Sequence, residues 1–214
     1  MQKIILASVS PRRKQLFSYF QLPFDVIPAE LDESRQVNER PTDYVQRLAR
    51  RKGEVVAAGH SGLIISADTI VVMDGEILGK PANIEEAERI LRALRGREHQ
   101  VHTALSLQNT ETGEIWSDLV TSTVAMRNYS DDEMFAYLSS EDWRDKAGGY
   151  AIQHKGFHPC ESVTGCETNV MGLPLCRMQR LLCEVGLAGA DAVAACEREL
   201  GLNCSGGMDS LPGE

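Results

Sequence analysis

The chain has 214 residues, 43% of them hydrophobic and 25% charged, with a formal net charge of −9 and a pI near 5.1. That length suits one domain with a sizeable core, and the acidic balance argues against a nucleic-acid or membrane-surface binder, which would carry a basic face. No apolar run approaches the roughly 20 residues needed to span a bilayer.

The N-terminus, MQKIILASVSPRRK, puts its basic cluster after a short apolar run. This is the reverse of a secretory signal, so a cytoplasmic location is expected. Residues 3–7 read as a short buried strand. Ser10 is then a good N-cap and Pro11 a good first residue for a helix reaching about Phe20. Residues 24–27 suit a second short strand. Thr42 is expected to cap the next helix, whose apolar stripe is Val45, Leu48, Ala49, Val55 and Val56. Residues 63–73 are strand-like, and Asp74-Gly75 is a hairpin turn into a strand over 76–78.

Asn83 with Glu86 reads as a capping box for a helix bearing Ala87, Ile90, Leu91 and Leu94, stopped by Gly96. Val101, Thr103, Leu105 and Leu107 alternate along a strand, and Thr112-Gly113 turns it into another over about 115–126. Ser130 and Glu133 box a further helix, and the last clear helix runs from Pro174 to near Gly186. This order predicts an α/β fold, a mixed and partly antiparallel sheet flanked by helices. Residues 1–187 read as a single domain. Beyond about Ala188 the chain thins into Ala, Gly and Ser, so 188–214 is expected to be a flexible, dispensable tail.

All six cysteines lie from Cys160 onward, and none forms a CxxC pair, so the strong zinc spacing is missing. His158, Cys160 and Cys166 make only a weak metal pattern. Cys176 and Cys183, seven apart on the last helix, are expected on one face as small apolar fillers.

Five places could carry chemistry. Ser8-Val9-Ser10-Pro11-Arg12-Arg13 joins a strand to a helix, where free N–H groups, hydroxyls and two guanidiniums favour phosphate; a capped helix with solvated arginines has the same spacing. Asp68 lies inside an apolar run, with Leu63, Ile64, Ile65 and Ala67 before it and Ile70, Val71 and Val72 after it. A carboxylate placed there needs a metal, a cation or hydrogen bonds, unless it merely reaches solvent at a strand end. Lys52 falls near the centre of its helix's apolar stripe and needs either an anionic partner or room to snorkel. Lys80 closes a strand in Leu78-Gly79-Lys80-Pro81, and Asp32-Glu33 is a paired acid in a loop, a pattern that is commonly just solvated.

Taken together and in order, these residues resemble the Maf family, which is related in fold to the inosine triphosphate pyrophosphatases. The matching segments are Ile5 to Arg13, Ala67-Asp68-Thr69, Leu78 to Pro81, Asp145 to Tyr150, Ile152-Gln153 and Asn169 to Leu175. The resemblance implies hydrolysis of a nucleoside triphosphate between the α and β phosphates with Mg²⁺ or Mn²⁺. By the same resemblance, Ser8, Arg13, Lys52 and Lys80 match phosphate-site positions. Glu33 and Asp68 match the acidic metal positions, with Asp68 in the general-base place. Arg12, Thr69 and Gln153 stand where the sister subfamily that prefers 7-methyl-GTP has Trp, Gln and Glu, so dTTP and UTP are the expected substrates. One Gln amide can meet the O4 acceptor and N3 donor of a pyrimidine. The resemblance also implies a homodimer. Two alternatives stay open, a 7-methyl-GTP pyrophosphatase and a non-enzymatic nucleotide-binding regulator of septum formation. One stretch departs from the family pattern: His154-Lys155-Gly156 follows Gln153, and Pro159 stands where a strand residue is expected. That strand should therefore be an edge or be broken.

Overall fold

The computed structural model describes residues 2–154, 156–202 and 204; Lys155 of the divergent stretch and residues 205–214 of the expected tail lie outside the described residues. Seven strands form one mixed sheet: β1 (Ile4–Leu6), β2 (Asp25–Val26), β3 (Leu63–Met73), β4 (Glu76–Leu78), β5 (Glu98–Asn109), β6 (Ile115–Met126) and β7 (Cys160–Thr164). Their order is β2-β1-β3-β5-β6-β7, with β4 paired to β3. β1 runs parallel to both β2 and β3, whereas β4, β5, β6 and β7 pair antiparallel. The expected α/β class and mixed sheet are therefore the observed ones. β7 lies at the edge of the sheet and starts immediately after Pro159, where a missing backbone donor does least harm.

The helices are α1 (Pro11–Ser18), α2 (Pro41–Ala57), α3 (Ile84–Leu94), α4 (Asp131–Ser139), α5 (Glu167–Val170), α6 (Leu175–Glu184) and α7 (Ala192–Leu200). None is long and apolar enough to cross a membrane. Ser10 caps α1 with Pro11 at its first turn, and Ser130 and Glu133 form the complete reciprocal box of α4. Asn83 caps α3, but Glu86 reaches Ala82 N–H (2.8 Å) rather than closing the box on Asn83.

Three expectations are corrected. Thr42 does not cap α2: the helix opens one residue earlier, at Pro41, whose fixed φ suits the first helical position, so Thr42 lies inside the first turn and Arg40 stands at the cap with no side-chain cap bond. Val55 is exposed, and Gly53 takes the buried position in that turn. The absence of a side chain there lets α2 close on β3 and β5, for a Cβ at Gly53 would collide with Gln108 and Ser66. The third correction concerns the tail. Residues 192–200 form α7, capped by Asp191 and ended by a left-handed Gly201, with Ala192 and Cys196 fully buried in the core beside Phe17, Phe20 and Leu181. Ala190 N–H donates to Phe20 O (2.8 Å), so this segment is part of the packed structure rather than a flexible tail.

Gly53→Ala is expected to lower stability by about 1–3 kcal/mol in urea denaturation through overpacking against Gln108. Helix propensity alone would give about 1 kcal/mol of the opposite sign, so a more stable variant would mean that the helix–sheet contact is loose.

Candidate active site

The site grows from a gap in the sheet. β1 leaves β3 after Leu6 pairs with Ile65, and β4 joins β3 only at Val71, opposite Leu78. Between those points Ser66 to Ile70 has a neighbouring strand on one side only, β5. In open α/β sheets ligands sit beyond the carboxyl ends of strands where neighbours diverge. Here a cleft opens at that place, lined by Asp68 and Thr69 of β3, Arg12 and Arg13 of α1, Lys52 of α2, and Lys80, among others.

α2 aims Lys52 inward. Its ammonium is hydrogen-bonded to Asp68 Oδ1 and lies 2.8 Å from Glu33 Oε1. The Lys52 and Asp68 side chains are only 12% and 11% exposed, whereas Glu33 is 50% exposed on the loop before α2. That loop is held by Tyr44, whose hydroxyl donates to Glu33 O (2.8 Å), and by Arg47, which pairs with Glu39 and donates to Ser34 O. Burial alone would raise the Glu33 pKa, but the Lys52 hydrogen bond and charge, with Lys80 and Arg13 nearby, hold its carboxyl below the ordinary value. Lys52 is therefore a paired cation at the centre of the site rather than a snorkelling one.

The other cationic wall is α1. Arg13 donates from Nε to Gly172 O (2.8 Å) and from Nη2 to Thr69 Oγ1 (2.9 Å), and Ser8 Oγ lies 3.5 Å from Nη1. Burial lowers its pKa, with the positive field of Arg12, while Asp68 and Glu33 oppose the shift. Thr103 Oγ1 donates to Asn169 O (2.9 Å) and lies 2.9 Å from Thr69 Oγ1. Each hydroxyl has one proton, so Thr69 donates to Thr103 and accepts from Arg13. The Thr69 hydroxyl has thus spent its proton inside the protein. Arg12 pairs with Asp145 (2.8 Å), which also holds Lys146 (2.7 Å). Burial would raise the Asp145 carboxyl, but the Lys146 hydrogen bond and the charges of Arg12 and Lys146 bring it below the ordinary value.

Of the nine residues expected at the site, Arg12, Arg13, Lys52, Asp68, Thr69, Lys80 and Gln153 line the cleft. Ser8 supports Arg13 from a buried position and Glu33 joins through Lys52. Sequence reasoning missed Asp145 and Lys146 as site residues, although both stand in the quoted Asp145-to-Tyr150 segment. It also missed Tyr150, whose ring lines the cleft and whose hydroxyl lies 2.6 Å from buried His99 Nε2.

The sequence family described as Maf-like protein matches residues 3–185. The chain belongs to the Maf family. Among curated relatives, the dTTP/UTP pyrophosphatase of Syntrophus aciditrophicus (strain SB) is 43% identical over 186 residues, covering 86% of this chain and 91% of that protein. The dTTP/UTP pyrophosphatase of Thermomicrobium roseum is 44% identical over 185 residues, covering 86% and 84%. A solved HAM1 protein from Coxiella burnetii is similar at 14% identity and a TM-score of 0.48, over 86% of this chain and 100% of that one. Within this Maf-family domain, the conjunction of Asp68, Lys52 and Glu33 rests on the chain's own geometry.

Lys52→Met should strand a buried Asp68 carboxylate and destabilise the protein by about 3–5 kcal/mol. Adding Asp68→Asn should return about 1–3 kcal/mol of that loss in a double-mutant cycle read by urea denaturation. Strictly additive effects would mean that the two groups are not coupled.

Proposed function

We propose that this protein is a nucleoside triphosphate pyrophosphatase that cuts dTTP and UTP to the monophosphate and pyrophosphate. The observation that carries this reading is the meeting of three cationic side chains, Arg13, Lys52 and Lys80, with the Asp68 carboxylate in one cleft. A polyanion needs such cations locally whatever the net charge of the chain, and anhydride hydrolysis needs a proton acceptor beside them. The names of the relatives agree with this chemistry and specify the pyrimidine substrates.

In this reading water attacks the α phosphorus and gives up a proton to Asp68 Oδ2, the oxygen that Lys52 leaves unbonded. The bond from the α phosphorus to the bridging oxygen breaks, and pyrophosphate departs with the electron pair. Lys52 orients Asp68 through Oδ1, and Arg13, braced by Gly172 and Thr69, faces the phosphates with little rotational freedom. Lys80, exposed at the cleft margin and in the field of Glu33, can neutralise charge on the leaving group.

The donor set suits Mg²⁺ or Mn²⁺. Glu33 and Asp68 share one ammonium, and each keeps an oxygen without a hydrogen bond among the described residues. Hard cations of this kind take one or two carboxylates together with substrate phosphates. Glu33 and Asp68 would hold the ion, which supplies charge neutralisation to the triphosphate when bound. Arg12, Thr69 and Gln153 are assigned to substrate binding, with Gln153 exposed at the cleft and able to read the pyrimidine edge. A homodimer and a cytoplasmic location belong to the same proposal.

Asp68→Asn should reduce kcat at saturating Mg²⁺ by about 10²-fold or more while leaving the circular-dichroism spectrum unchanged. Turnover within a few-fold of the parent would remove Asp68 from the mechanism. In a panel of nucleoside triphosphates assayed for pyrophosphate release, dTTP and UTP should lead and 7-methyl-GTP should trail far behind. Gln153→Glu should depress pyrimidine kcat/KM by about 1–3 kcal/mol, because two acceptors then face each other. Equal parental rates on UTP and 7-methyl-GTP would overturn the substrate assignment.

A further inference from the structure

At the two ends of the 166–176 segment and at Cys204 lies a group of side chains that the proposed reaction does not use. The sulfurs of Cys166, Cys176 and Cys204 converge, all within 4.8 Å of one another. Cys166 and Cys204 are fully buried and their sulfurs are 3.4 Å apart, while Cys176 is partly exposed. The Thr168 hydroxyl stands 2.8 Å from the Cys204 sulfur and 3.1 Å from that of Cys166. It accepts the Leu175 N–H (3.1 Å), so its own proton is free to point at sulfur. No cationic side chain bonds or pairs with these sulfurs among the described residues, so a thiolate here would lack a counter-charge.

We propose that Cys166, Cys176 and Cys204 form a binding site for one thiophilic divalent cation of the zinc class. A zinc–sulfur bond of about 2.3 Å in a tetrahedron separates sulfurs by about 3.8 Å, which lies between the 3.4 Å from Cys166 to Cys204 and the 4.8 Å bound on all three. Binding exchanges each thiol proton for a metal–sulfur bond and releases it to solvent. The fourth position is left to water or to the Thr168 hydroxyl. A disulfide between Cys166 and Cys204 would use two of the thiols and leave the convergence of the third without a purpose.

The position gives such a site a consequence. Cys166 and Cys176 bracket the segment whose middle supplies Gly172 O to Arg13 and Asn169 O to Thr103. A cation held there clamps both ends of that segment and ties it to Cys204, beyond the end of α7. The inference uses none of the catalytic groups and stands whether or not the proposed activity does.

The test is a Cd²⁺ titration of the full-length protein under reductant, with excess Mg²⁺ present to occupy the carboxylates, read by the ultraviolet thiolate-to-cadmium charge-transfer band. The band should saturate at about one equivalent in the parent and in Cys183→Ser, whose exposed thiol lies outside the cluster. Cys204→Ser and Cys176→Ser should each bind at least about 100-fold more weakly, since even outer partners of metal ligands are worth 10- to 100-fold. Cys176 is the less buried of the two, so its variant carries the test if Cys204→Ser does not fold. Zn²⁺ should raise the Tm of the parent but not that of Cys176→Ser. No saturable band, or a band unchanged in Cys176→Ser, would overturn the site. So would a Cys166–Cys204 disulfide found by mass spectrometry in protein that binds no Cd²⁺.

Discussion

An ammonium group on the buried face of a helix must be neutralised where it lies, and Lys52 is neutralised by carboxylates from two separate parts of the chain. Asp68 comes from the middle of the sheet and Glu33 from the loop that precedes α2. The arrangement requires α2 to lie close to β3, and the bare backbone of Gly53, next to Lys52, permits that approach. The same triad fixes the polarity of the cleft. Two acids hold one base, leaving each carboxylate an unbonded oxygen, while Arg13 and Lys80 supply the remaining positive charge.

A second chain of interactions makes the opposite wall rigid. It runs from Arg13 through Thr69 and Thr103 to the Asn169 carbonyl, linking α1, β3, β5 and α5. Hydroxyls in series have a direction, because each has one proton to give. Here the direction is set at both ends, by a guanidinium that can only donate and a carbonyl that can only accept. A guanidinium braced in this way loses little rotamer freedom when an anion arrives, which favours positioning over mere attraction.

Much of this architecture was legible in the sequence where local chemistry and burial agree. Strand 63–73, its Asp-Gly turn and strand 76–78 are found where expected, because apolar runs and left-handed turn residues leave few alternatives. Lys52 and Asp68 stood out as charges in apolar settings, and each proved to be the partner the other lacked. Asp145 was overlooked because its contact with Arg12 spans 133 residues and leaves no periodic trace. Helix α7 was hidden by small residues: Ala192 and Cys196 fill a core as well as larger ones do, but in a row they resemble a linker. The thiol cluster escaped for a related reason, since Cys204 meets Cys166 only through the folding of that helix.

The gap between β1 and β4 has a consequence for the backbone itself. Over Ser66 to Ile70, β3 is bonded to β5 on one side and has no strand on the other, so an interior strand is locally an edge. Peptide groups in a strand point alternately to its two sides. Alternate amides in this stretch are therefore locked by β5, while those between them face the cleft and have no ladder partner. Amide exchange in this stretch should thus alternate between slow and fast along consecutive residues. Slowing of only the fast members of this pattern would report occupancy of the cleft from the main chain, whichever side chains are changed.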